Sequence, residues 1–135
     1  LDGKKYLDGG ISMPIAYERP MELGYDKIVL VLTREQGYRK HQEGRWMKRA
    51  YDRYFAPLPS LRQSLRDIPE RYNRIQEELD RLEAEGRIFI IRPDRPVEVS
   101  RLEQDVHKIQ ALYDEGRRIA LEQLPALKNY LELPQ

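Results

Sequence analysis

The chain has 135 residues, of which 40% are hydrophobic and 35% charged, and this composition is typical of a charge-rich globular domain rather than a disordered chain. It carries a net charge of +1 and no cysteine, which excludes disulfide bonds, cysteine-ligated zinc and thiol catalysis. The balanced charge also excludes a global field that would attract nucleic acid or an anionic membrane, so any electrostatic function must be local.

The first predicted elements surround a glycine-rich turn. Residues 6–7 favour a strand, and Asp8-Gly9-Gly10 favours a turn because glycine adopts positive φ without steric cost. A helix is predicted over residues 15–23, with Gly24 ending it. The continuous apolar run in residues 27–33 is typical of a central parallel strand. This succession predicts a βαβ unit that belongs to an α/β sheet.

A stretch rich in basic and aromatic side chains follows in residues 34–55, where seven bases stand against three acids. One interpretation is a membrane-surface patch, in which aromatic rings lie among lipid headgroups while cations contact phosphates. A nucleic-acid surface would use the same groups for stacking and phosphate contact. Helical spacing favours a third interpretation, an ordinary amphipathic helix whose aromatic side chains pack inward. The candidate headgroup patch consists of Arg45, Trp46, Lys48, Arg49 and Arg53.

Helices dominate the remaining sequence. A short helix is predicted over residues 61–68, and a longer one begins at Pro69 and is ended by Gly86. Residues 87–92 form the second strongly predicted strand. One or two helices follow up to residue 131, and Gly116 is the position at which a second helix would begin.

Asp8 is the candidate catalytic residue. A carboxylate on a glycine-rich turn after a strand lies where open α/β sheets place their sites. The spacing alone favours a simple turn, because Asp-Gly is a common turn dipeptide. His41 and His107 have no other ligand at a suitable spacing, so we expect neither a metal site nor a cofactor.

Several short blocks, spread over most of the chain, form one recognisable series. They are Tyr6-Leu7-Asp8-Gly9-Gly10-Ile11, Met13-Pro14-Ile15, Gly24-Tyr25-Asp26-Lys27-Ile28-Val29, Leu32-Thr33-Arg34, Arg71-Tyr72-Asn73, Gly86-Arg87-Ile88-Phe89-Ile90-Ile91-Arg92-Pro93 and Ala111-Leu112-Tyr113. This series resembles the carboxyl half of bacterial patatin-like phospholipases. The resemblance implies that residues 1–56 are the C-terminal part of a patatin-like parallel-sheet catalytic domain. It implies that residues 57–135 are a mostly helical extension with one strand near 87–92.

The resemblance also implies a serine acyl hydrolase acting on lipid or other carboxylic esters through a Ser-Asp dyad. Asp8 is then the general base, and Gly9 and Gly10 form the turn that supports it. A serine hydroxyl is a poor nucleophile without an adjacent base, and a desolvated carboxylate is a better base than one in water. The sequence contains no G-x-S-x-G nucleophile elbow and no glycine-rich oxyanion loop. We therefore expect a fragment of a hydrolase that is inactive alone.

The expected partners are the missing amino-terminal part of the same hydrolase and a lipid or ester substrate, and nucleic acid is not expected. The expected location is cytoplasmic, with a peripheral membrane contact as a further expectation. Unpaired strand edges also predict self-association. The alternative function, from another class, is a non-catalytic helical module that binds proteins or a membrane surface.

Overall fold

The computed structural model describes residues 2–3, 6–42, 44–100 and 102–132. This part of the chain is mixed α/β and mostly helical, which confirms the expected α/β class. The elements in chain order are one 3₁₀ turn (Gly9–Ile11), α1 (Glu18–Glu22), β1 (Val29–Val31), α2 (Arg45–Tyr54), α3 (Pro59–Ala84), β2 (Phe89–Ile91) and α4 (Val106–Tyr130).

The described strands form a two-stranded parallel sheet. Val29 of β1 is paired with Phe89 of β2, and Val31 with Ile91. Both strands lie within the runs predicted at 27–33 and 87–92, so these two predictions are confirmed in shorter form. Parallel strands need a long crossover connection, and here that connection contains α2 and α3.

The predicted βαβ unit at the start of the chain is wrong in its first strand. Residues 6–8 have no regular secondary structure, and the helix expected over 15–23 is shortened to α1. Tyr6 and Leu7 are mostly exposed, because two apolar residues before a glycine-rich turn find no neighbouring strand among the described residues. The parallel partner of β1 is therefore β2, from a distant part of the sequence.

The predicted boundary at Pro69 is also wrong, because α3 runs through this proline as a single helix of 26 residues. Of the one or two helices expected after residue 93, the structure has one, α4, whose 25 residues run through Gly116. A proline removes one helical hydrogen bond and a glycine costs about 1 kcal/mol, and packing of a long helix can outweigh both. The predicted end at Gly86 is confirmed: this residue has a φ of 69°, and its amide donates to the Glu83 carbonyl at 2.9 Å.

The chain divides into two compact units, and α3 contributes to both. The first unit comprises residues 1–16 and 39–77, and so contains the Asp8 turn and α2. The second unit comprises residues 17–38 and 78–135, and contains the sheet and α4. The buried apolar side chains of the second unit are Tyr17, Ile28, Leu79, Leu82, Ile88, Ile90 and Ile119.

Polar contacts complete the second unit. The Tyr130 hydroxyl accepts a hydrogen bond from the Ile28 amide at 3.0 Å and donates to the Arg87 carbonyl at 3.0 Å. The buried guanidinium of Arg92 donates to Asp80 at 2.8 Å and also to Glu83, both on α3. None of the described helices combines the length and apolar composition needed to cross a bilayer.

Candidate functional site

The Asp8 turn is a capped 3₁₀ turn. The Asp8 side chain caps its start, with Oδ1 accepting a hydrogen bond from the Gly10 amide at 2.8 Å. The Asp8 carbonyl accepts from the Ile11 amide at 3.1 Å, and the Gly9 carbonyl accepts from the Met13 amide at 2.8 Å. The carboxylate is therefore fixed in orientation by the turn that it caps.

The two glycines do not allow this turn through positive φ, as was predicted. Neither Gly9 nor Gly10 has a positive φ, so the expected left-handed conformation is absent from this turn. A Cβ at Gly10 would lie 3.3 Å from Oδ1 of Asp8, whereas a Cβ at Gly9 would meet nothing within 4 Å. Gly10 thus provides the space in which the carboxylate reaches the amide.

Arg71 ties the Asp8 turn to α3. Its Nη1 donates to the carbonyl of Ile11 at 2.6 Å and to that of Ser12 at 3.2 Å. Two residues further on, the Asn73 side chain binds the Lys40 backbone, accepting from its amide at 2.7 Å and donating to its carbonyl at 3.1 Å. Arg71 and Asn73 both lie in the block at 71–73. No other feature of the sequence indicates that these two side chains hold the Asp8 turn and the Lys40 backbone.

The Asp8 carboxylate is exposed, and it has no serine partner among the described residues. The nearest serine in sequence, Ser12, donates its hydroxyl proton to the Gly9 carbonyl at 3.0 Å instead. Asp8 Oδ2 makes no hydrogen bond within the described chain. The turn therefore presents an oriented carboxylate oxygen that can accept a proton from a group brought to it.

The candidate headgroup patch lies on α2. Trp46 is 83% exposed and Tyr54 is 81% exposed. Arg45, Arg49 and Arg53 are exposed as well, and the Arg49 guanidinium lies 6.0 Å from the Trp46 ring centroid. Lys48 is half-buried, so four of the five predicted patch residues are exposed together on this helix and one is not.

The expectation that the α2 aromatic side chains pack inward is wrong for Trp46 and Tyr54. α2 contacts α3 through a polar residue, because Asp52 binds Arg66 at 2.5 Å and lies 3.9 Å from Arg62. This orientation leaves the two most exposed rings facing solvent. The rings of Tyr51 and Phe55 are half-buried and do follow the expectation.

The described residues contain no group of three or more histidine, aspartate or glutamate side chains placed to hold a metal ion. His41 and His107 are both exposed. The histidines thus belong to none of the sites above.

Comparison with known proteins identifies one family. The profile of the family described as a domain of unknown function, DUF6363, matches residues 58–132, which is more than half of the chain. No curated protein and no solved structure matches the chain. The matched range contains α3, β2 and α4, whereas Asp8 and α2 precede it. This chain therefore belongs to the DUF6363 family.

Proposed function

We propose that the chain is the carboxyl-terminal part of a patatin-like serine acyl hydrolase that cleaves lipids or other carboxylic esters, with Asp8 as general base. The observation that carries the proposal is the Asp8 turn. One carboxylate oxygen is held by the Gly10 amide at 2.8 Å, the other makes no hydrogen bond in the described chain, and Arg71 fastens the turn to α3. The series of sequence blocks around this turn supports the same assignment.

In this mechanism the Asp8 carboxylate takes the proton of a serine hydroxyl as the serine oxygen attacks the ester carbonyl. The proton then passes to the departing alcohol, which leaves an acyl-serine. Asp8 next takes a proton from water as the water attacks that acyl group. It gives this proton to the serine oxygen as the acid departs, which restores both the serine hydroxyl and the Asp8 carboxylate. The serine and the oxyanion donors come from the amino-terminal part of the same hydrolase.

The small sheet supports an α/β core that continues beyond the described residues. β1 pairs with β2 on one edge, and Val31 of β1 is 73% exposed. Parallel strands are usually covered on both faces, and an isolated pair of strands is marginally stable. We propose that further strands of the hydrolase join the sheet at the free edge of β1, so the amino-terminal part is the expected partner.

Turnover in the complete protein tests the proposal. The complete protein should hydrolyse p-nitrophenyl esters or phospholipids, and Asp8→Asn should lower kcat by at least about 10²-fold because the serine loses its base. Asp26→Asn, which changes another exposed aspartate, should leave kcat unchanged. The chain alone should give no turnover. Full activity of the Asp8→Asn protein would refute the assignment.

A second function is favoured by the exposed rings of α2: a non-catalytic module that binds an anionic membrane surface. Trp46 and Tyr54 would lie among lipid headgroups, while Arg49 and Arg53 meet phosphates. The membrane binding would be peripheral, because an amphipathic helix lies in the plane of the membrane interface.

Trp46 itself provides the test, because it is the only tryptophan of the chain. Vesicles containing phosphatidylglycerol should shift its emission to the blue, and neutral phosphatidylcholine vesicles should do so far less. Arg49→Glu with Arg53→Glu should abolish the shift, and Arg74→Glu with Arg87→Glu is the control with equal charge change. Equal shifts for the two double variants would exclude the patch.

A further inference from the structure

An apolar pocket of about 580 Å³ lies in the second unit, at the carboxyl ends of β1 and β2. Residues 31–34 and 91–93 form one wall, α4 between Leu112 and Ala120 forms another, and Val97, Val99 and Ser100 complete it. Open α/β sheets bind ligands beyond the carboxyl ends of their strands, and small-molecule sites range from roughly 300 to 1,000 Å³. Both the position and the size of the pocket are therefore those of a ligand site.

The lining is mostly aliphatic. Val97 and Val99 contribute one side, and Leu112, Ile119 and Ala120 of α4 contribute the other. Such walls bind hydrocarbon through burial of apolar surface, and they offer few partners for a polar ligand. The part of a ligand that enters the pocket is accordingly an apolar chain or ring.

Two charged side chains at the pocket are already neutralised within the unit. Arg92 is paired with Asp80 and Glu83. Glu115 is paired with Arg95, through bonds of 2.6 and 3.0 Å. Each of these two side chains is thus already engaged by an opposite charge within the unit.

Arg34 and Arg117 are the charged lining residues that have no carboxylate partner in the described chain. The Arg34 guanidinium donates to the Val97 carbonyl at 3.3 Å and lies 5.0 Å from the Tyr38 ring centroid, and both are neutral groups. Arg117 is exposed on α4 and makes no ion pair with the described residues. An aliphatic pocket thus carries two cations that have no counter-charge among the residues the structure describes.

We propose that this pocket binds a fatty acid, with the alkyl chain against α4 and residues 97–100 and the carboxylate against Arg34 and Arg117. A guanidinium binds a carboxylate through charge-assisted and often bidentate hydrogen bonds, and the aliphatic walls take the chain. Asp8 does not line the pocket, so binding here and turnover at Asp8 can fail independently.

Gly116 gives a direct way to close the pocket. It lines the cavity from within α4, and a Cβ added there meets no atom within 4 Å. Gly116→Ala should therefore leave the pocket open and improve the helix, whereas Gly116→Trp should fill it with an indole ring. Comparing Gly116→Ala with Gly116→Trp therefore separates the effect of filling the cavity from the effect of a higher helix propensity at this position.

Displacement of a dansyl-labelled undecanoic acid by dodecanoic acid measures binding to the whole chain. The wild type and Gly116→Ala should bind one molecule with equal affinity, and Gly116→Trp should bind at least about tenfold more weakly. Arg34→Gln with Arg117→Gln should also lose about tenfold, because each charge-assisted contact is lost. Dodecanol should compete about tenfold less well than dodecanoic acid.

Each contrary result is decisive. Equal affinity for wild type and Gly116→Trp would overturn the pocket as the site, and equal competition by dodecanol would overturn the role of the arginines. If Gly116→Trp does not fold, two measurements still test the proposal. They are the affinity of the surface variant Arg117→Gln for dodecanoic acid and the competition by dodecanol against the wild type. Arg74→Glu with Arg87→Glu should bind dodecanoic acid as the wild type does, since neither residue lines this pocket.

Discussion

The Tyr130 hydroxyl accepts a hydrogen bond from the backbone amide of Ile28 at 3.0 Å, across 102 residues of sequence. The same hydroxyl donates to the Arg87 carbonyl at 3.0 Å, so the end of α4 is joined to the segments that precede both strands. Tyr130→Phe should lower the free energy of unfolding by about 1–3 kcal/mol, because the half-buried Ile28 amide loses its partner. Urea unfolding followed by circular dichroism measures the change.

Tyr113→Phe is the control for this prediction. Tyr113 lies on the same helix, is exposed, and its hydroxyl makes no hydrogen bond within the described chain. Its removal should change stability by less than about 0.5 kcal/mol. Equal effects of the two substitutions would show that the contact of Tyr130 with Ile28 contributes nothing.

Arg92 should be the charged residue whose loss costs most stability. Its side chain is only 8% exposed and serves two carboxylates, Asp80 and Glu83. Arg92→Met should destabilise the chain by about 2–3 kcal/mol, because both carboxylates lose a shielded partner. The exposed Arg118, which also bridges two carboxylates, should cost less than about 1 kcal/mol when changed to methionine. A smaller loss for Arg92→Met than for Arg118→Met in urea unfolding would contradict this.

Arg71 should act as a positioning residue for the Asp8 turn. Arg71→Met removes the hydrogen bonds to the Ile11 and Ser12 carbonyls, so the Gly10 amide should exchange with solvent faster. Hydrogen exchange followed by NMR measures this at one amide. Under the proposed function, kcat of the complete protein should fall about tenfold with little change in KM, and Arg71→Lys should restore part of it. Arg74→Met, on the same helix, should change neither quantity.

The Tyr17 hydroxyl should ionise at a higher pH than an ordinary tyrosine hydroxyl. Burial, reinforced by the neighbouring Glu18 carboxylate, raises the pKa of Tyr17 above the ordinary tyrosine value of about 10. The folded state then holds this proton more tightly than the unfolded state. Its contribution to stability is complete below about pH 10 and is lost as the pH rises through the raised value.

Absorbance at 295 nm during an alkaline titration follows this ionisation. The hydroxyl of Tyr17 should ionise above the ordinary tyrosine range, and Tyr17→Phe should remove that late step. The loss of stability between pH 9 and pH 11 should also be smaller for Tyr17→Phe than for the wild type. Loss of an early step instead would mean that the Tyr17 hydroxyl is solvated.

Local signals predicted the strands and one helix end well. The apolar runs around Leu30 and Ile90 could be identified because the strands of parallel sheets usually carry apolar residues on both faces. Gly86 could be identified because a left-handed residue ends many helices. The pairing of β1 with β2 could not, because strand partners depend on long-range packing that local composition does not encode.

The orientation of α2 and the contact that fixes the Asp8 turn could not be predicted from the sequence either, because both depend on long-range packing. Helical spacing placed Trp46 and Arg53 on one face, but only the contact of Asp52 with Arg66 decides that this face is exposed. Arg71 likewise resembles any helix-surface arginine until its contact with the Ile11 carbonyl is seen. The role of Asp8 as general base remains a prediction.

The pairing of Val29 with Phe89 also has a kinetic consequence. Strands far apart in sequence close a large loop, so their contacts form after local helices such as α3 and α4. Weakening the sheet, for example with Leu30→Ala, should therefore speed unfolding far more than it slows refolding. The lifetime of the native sheet, rather than the speed at which the chain folds, is then the quantity that this pair of strands controls.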